Sequence, residues 1–163
     1  MRIFKLALIM VFLIVLQTVV LSRLKLFGVS ADLPVAFAAL LAYIYGPREG
    51  FWFGALAGFF ADVISPEKFV FVVAVSLTCF ILGMLKDRFF NEEEIVMFVF
   101  VFAGTFFSYL CGSWMLTGLY GKALSEAWAL MFFVSLFNTL FTQYLKVLIS
   151  KVVNTDDGRR IKI

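Results

Sequence analysis

Histidine is absent from the 163-residue chain, and Asp, Glu, Lys and Arg together reach only 15%. Without an imidazole there is no His general base, no His-containing triad and no His-ligated metal. The two cysteines, Cys79 and Cys111, both lie inside long apolar runs. Each reads as a small buried hydrophobe rather than half of a disulfide or a metal ligand. Paired carboxylates, a phosphate-cradling loop followed by Lys, and a nucleophile beside a base are missing as well. The chain therefore reads as a non-enzyme with no cofactor and no metal. A net charge of +3, spread along the chain, gives no basic patch for nucleic acid.

What is abundant is apolar surface. Hydrophobic residues make up 63% of the chain, with 22 Phe, and the mean hydropathy is +1.02. A soluble domain of this size has no interior large enough for them, so the expected solvent is the lipid bilayer. A spanning helix needs about 20 apolar residues, or about 17 with snorkelling flanks. Charges divide the chain into runs at Leu6–Ser22, Leu33–Tyr45, Phe51–Ile64, Phe69–Leu85, Ile95 to about Leu119, and Ala127–Ile149, with Lys146 snorkelling near the end of the last. These predict an all-α polytopic membrane protein with six transmembrane helices in one bundle over residues 1–150 and a polar tail over 151–163. The two short runs either cross separately or form a re-entrant pair across Gly46-Pro47-Arg48-Glu49-Gly50. Ser30 or Asp32 can cap the second run, with Pro34 in its first turn. If the N-terminus is cytoplasmic, ten Lys and Arg fall inside and four outside, so both termini are expected in the cytoplasm. The segment KDRFFNEEE from Lys86 to Glu94 reads as a solvated turn with aromatic anchors, or as a partner contact.

Gly46, Gly50, Gly54, Gly58 and Asp62 recur at intervals of four. From Gly50 onward they share one helical face, a smooth groove that admits a second helix. That helix belongs either to the same chain or to a partner. Asp62 sits inside an apolar run, where a carboxylate is costly. It either couples a proton or cation to transport, or caps the fourth helix near Ser65 or pairs with Lys68. Asn138, Thr142 and Gln143 mark a polar face on the sixth helix, which lines either a pocket or a helix seam.

The stretch from Asp32 to Lys86 has a DLP start, an apolar helix and the Gly46-Pro47-x-x-Gly50 turn. The GALAGFFADVIS stripe through Asp62 follows, then a helix closing on Leu82-Gly83-Met84. This pattern resembles the rod shape-determining protein MreD family. The resemblance implies a multi-pass protein of the bacterial inner membrane that binds MreC, a single-span partner. Through MreC it would couple MreB filaments to the peptidoglycan synthases of the lateral wall, as a non-enzymatic scaffold of the elongation machinery. It assigns structural roles to Pro34, Gly50, Gly54, Gly58 and Asp62. One departure is Ser65-Pro66-Glu67-Lys68, where that family has a Gly-rich turn. The layout is also similar to the substrate-binding membrane subunits of energy-coupling-factor vitamin transporters, which dock on a separate ATP-driven module. Those subunits carry small residues four apart on the first span, whereas this first span has only Ala7. Asn138 with Gln143 would supply a pocket in that alternative. An ion-coupled carrier built on Asp62 is a third. Self-association and lipid binding stay open.

Overall fold

The structure is a computed structural model that describes residues 2–21, 31–64, 70–89, 94–120 and 127–157. Ser30, the 65–68 loop, the 90–93 part of the charged turn and the tail beyond 157 lie outside the described residues.

The described residues form six helices: α1 (Arg2–Leu16, continued by a π-helical turn Gln17–Leu21), α2 (Leu33–Tyr45), α3 (Pro47–Ile64), α4 (Val70–Phe89), α5 (Glu94–Tyr120) and α6 (Ala127–Asp157). They run up and down, so one end of the bundle carries the starts of α1, α3 and α5 and the other the starts of α2, α4 and α6. These are called the proximal and distal ends. The chain is thus a six-helix membrane bundle, as its composition demands. Helices α5 and α6 contain the stretches long and apolar enough to cross unaided, Ile95–Leu119 and Trp128–Lys151. At 1.5 Å per residue α5 is ~40 Å long, more than the ~30 Å hydrocarbon core. Helix α6 continues past the expected end at Ile149 to Asp157, because a helix does not stop where its apolar run does.

Helix α2 is the centre. It has only 13 residues, ~20 Å, yet eleven of them are buried. Its sequence explains this: a helix apolar all round is an interior helix, and Ala36, Ala38, Ala39 and Ala42 let neighbours approach closely. All the other helices except α1's π-turn pack on it substantially. Gly46 turns the chain from α2 into α3 at φ 93°, a left-handed conformation that glycine adopts freely. Pro47 then starts α3 one turn before the apolar run, where its missing N–H leaves no gap. This turn nests on Gly83 of α4, where a Cβ would lie 2.6 Å from Pro47 Cα. The short second and third runs are therefore two antiparallel helices, with α2 enclosed and α3 on the outside against α4.

Two expectations change at single residues. Cys79 is buried as expected, but Cys111 is exposed on α5. Lys146, expected to reach for the membrane surface, is only 9% exposed.

Candidate functional site

A helix start leaves its first N–H groups without intrahelical partners, and water normally satisfies them. At α2 this is impossible, because the helix begins inside the bundle. Tyr109 lies eleven residues before the end of α5, and Asn138 lies eleven residues after the start of α6. Both are thus ~17 Å in from those distal helix ends. At that depth two other elements supply acceptors and a third supplies a donor. The Leu33 N–H donates to Gln17 Oε1 of the π-turn at 2.8 Å, and the Asp32 N–H donates to Asn138 Oδ1 at 2.7 Å. Asp32 caps its own helix, accepting the Val35 N–H at 3.4 Å, and its second carboxylate oxygen accepts the Tyr109 hydroxyl. A helix N-terminus carries about half a positive charge, which suits this carboxylate.

The node is not saturated. Asn138 is fully buried, and among the described residues its Nδ2 has no hydrogen-bond partner, nor does the Ser108 hydroxyl beside Tyr109. A small cavity of about 30 Å³ adjoins it, lined by Ile14, Gln17, Thr18, Asp32, Pro34, Ala57, Phe60 and Ala61. That volume holds a water or two. The arrangement is a buried polar floor in the distal half of the bundle, built from α1, α2, α5 and α6, with a spare amide donor.

The residues singled out from sequence separate into three places. Pro34 is at the floor, in the first turn of α2. Asn138 is in it, and Thr142 lies one turn below, fully buried, donating to the Asn138 carbonyl at 3.2 Å. Gln143 is exposed and turned away from them, since five residues rotate a helix by about 500°. Gly54, Gly58 and Asp62 form the α3–α4 contact instead, and Gly50 packs between Ala42 of α2 and the Cys79 carbonyl of α4. A Cβ on Gly54 would lie 3.0 Å from Ser76 Cα; on Gly58 it would lie 2.7 Å from Val72 Cα. Asp62 is 4% exposed and accepts the Phe71 N–H at 2.9 Å and the Val72 N–H at 2.8 Å, capping α4 from the end of α3. The α4 amides thus occupy both oxygens of the one carboxylate on that stripe.

Sequence reasoning named Asp32 as a cap but missed its bond to Tyr109. It counted Gln17 only as an interruption. A signal for Tyr109 was present: Gly104, Thr105, Ser108, Tyr109 and Gly112 trace one small and polar face on an otherwise bulky α5.

Fold and floor together define a multi-pass α-helical membrane protein with a buried polar centre. A family model described as the ECF-type riboflavin transporter, S component, matches residues 2–155, nearly the whole chain. The chain belongs to that family, and it is a multi-pass protein of the inner membrane. Comparison with curated proteins gives no match, and comparison with solved structures gives none either.

This overturns the MreD resemblance. With it go the scaffold function in cell elongation and the expected partners MreC, MreB and the peptidoglycan synthases. The physical reason lies in the motif itself. DLP, Gly-Pro-x-x-Gly and the glycine stripe are the start of a buried helix, a left-handed turn and an α3–α4 packing face. They describe how this bundle closes, not what it binds.

Proposed function

We propose that this chain is the ligand-binding membrane subunit of an energy-coupling-factor transporter, non-enzymatic in itself, that binds riboflavin at the distal end above the start of α2. The family match over residues 2–155 carries the reading. The polar floor supports the location. Riboflavin's ring system presents a row of amide-like donors and acceptors, and Asn138 Nδ2 is a buried amide donor without a partner at that floor. A ligand that supplies the acceptor removes the cost of leaving that donor unpaired, about 1–3 kcal/mol. The charge distribution supports both termini lying in the cytoplasm, which puts the distal end outside. Residues 1–150 are the bundle proper, and the end of α6 with the remaining tail is its cytoplasmic extension. Transport then requires a separate ATP-driven module as partner.

The test is quenching of riboflavin fluorescence by the purified full chain in detergent. Saturable 1:1 quenching is expected, weakened about tenfold by Asn138→Leu, the equivalent of 1.4 kcal/mol. Absence of saturable quenching by a monodisperse, folded preparation would refute the ligand. Unchanged affinity in Asn138→Leu would refute the location.

A further inference from the structure

At the proximal end, far from the polar floor, α1 and α3 splay apart around a groove of about 440 Å³ lined by Ile3, Ala7, Arg48, Glu49, Trp52, Phe53 and Leu56. Its polarity is graded. Arg48 and Glu49 are neighbours in the first turn of α3, and among the described residues every other lining side chain is apolar except for the Trp52 indole N–H. From Arg48 to Leu56 the groove runs eight residues, ~12 Å, from the helix end toward the middle of the bundle. Trp52 is 66% exposed beside it, the position an indole takes at a membrane interface.

The two charges decide what fits. Among the described residues the structure records no ion pair or hydrogen bond between either side chain and another group. Among the described residues no further cation lines the groove. An anionic headgroup would meet Arg48 but be repelled by Glu49. A zwitterionic headgroup satisfies both: its phosphate faces the guanidinium, which binds phosphate oxygens in a fixed fork, and its ammonium faces the carboxylate. A primary ammonium donates hydrogen bonds to Glu49, whereas a quaternary one has none to give. A phospholipid presents that order within one molecule, charge at one end and hydrocarbon beyond.

We propose that this groove is a binding site for one aminophospholipid of the phosphatidylethanolamine class, with its headgroup on Arg48 and Glu49 and an acyl chain along Ala7, Phe53 and Leu56. The site lies outside the ligand floor and does not depend on the transport reading.

Native mass spectrometry of the purified full chain tests it, with phosphatidylethanolamine, phosphatidylcholine and phosphatidylglycerol of identical chains added in equal amounts. One phosphatidylethanolamine per protein is expected, favoured about threefold to fivefold over the other two, the range of exposed charge pairs. Glu49→Gln, an exchange at a half-buried helix start, should erase the preference over phosphatidylglycerol. Ala7→Phe, which fills the groove, should cut retention about tenfold while the riboflavin assay and elution volume stay at wild-type values. Equal retention of the three lipids, or retention undiminished in Ala7→Phe, overturns the assignment. So does a lipid-free chain in which Trp52 becomes protected only alongside a second membrane protein, which would give the groove to a protein helix.

Discussion

Replacing Gly58 with alanine isolates the contact that holds α3 to α4. The added Cβ would sit 2.6 Å from the Phe71 carbonyl carbon and 2.7 Å from Val72 Cα, both backbone atoms. Carbon atoms rest at about 3.5–4.0 Å, so the helices must part there by nearly 1 Å. Overpacking of this kind costs about 1–3 kcal/mol. The change also stretches the two Asp62 hydrogen bonds to Phe71 and Val72, one turn further along the same face. Against this stands a helix-propensity gain of about 1 kcal/mol for Gly to Ala. A net loss of about 1.5 kcal/mol follows, roughly a tenfold rise in the opening equilibrium. Gly54→Ala is the internal control: its Cβ would meet Ser76 Cα and the Val75 carbonyl oxygen at 3.0 Å and Cys79 Cβ at 3.2 Å. There the smaller misfit and the propensity gain nearly cancel. Cys79 reports the opening, because it is buried on α4 beneath this face, and Cys111→Ser removes the exposed thiol. The labelling rate of Cys79 by a maleimide in detergent should rise about tenfold in Gly58→Ala and less than threefold in Gly54→Ala. Equal rates in the two variants would refute the reasoning, since only the distances separate them.

Asp62→Ala strands two α4 amides and should lose about 2 kcal/mol in the same labelling assay, while Asp62→Asn keeps one acceptor and should lose about half of that. An Asp62→Asn variant that labels as fast as Asp62→Ala would contradict the two-bond geometry. Tyr109→Phe removes one donor to Asp32 and should lower thermal stability by about 1 kcal/mol; an unchanged melting curve would mean the hydroxyl makes no net contribution. Gln143→Leu, on the exposed side of α6, should leave stability and riboflavin affinity within about 0.5 kcal/mol of wild type, whereas Thr142→Leu inserts bulk into a fully buried site and should destabilise by about 1–3 kcal/mol. Matching behaviour of these two would place Gln143 back on the buried face.

The choice between families shows where sequence ran out. Residues 32–86 read as an apolar helix, a turn and a glycine-faced helix, because those signals are local. They said nothing about what the bundle binds, since Gly50, Gly54, Gly58 and Asp62 are consumed by contacts with α2 and α4. Of the polar residues that do face the interior, the sequence marked Asn138 but not its partners across the bundle. Asn138 meets Asp32 across 106 positions, and Tyr109 meets it across 77.

Sequence alone determined the solvent, the helical class, the six helices and the turn at Gly46, because hydrophobicity, helix period and the needs of a left-handed φ act over a few neighbouring residues. Tertiary structure decided which helix became the centre, that the glycine stripe closed on α4, and that the buried amides of α2 were met by Gln17 and Asn138. Those outcomes depend on which faces lie opposite one another. In lipid, close packing and the need to satisfy every buried polar group select among faces that hydropathy cannot tell apart.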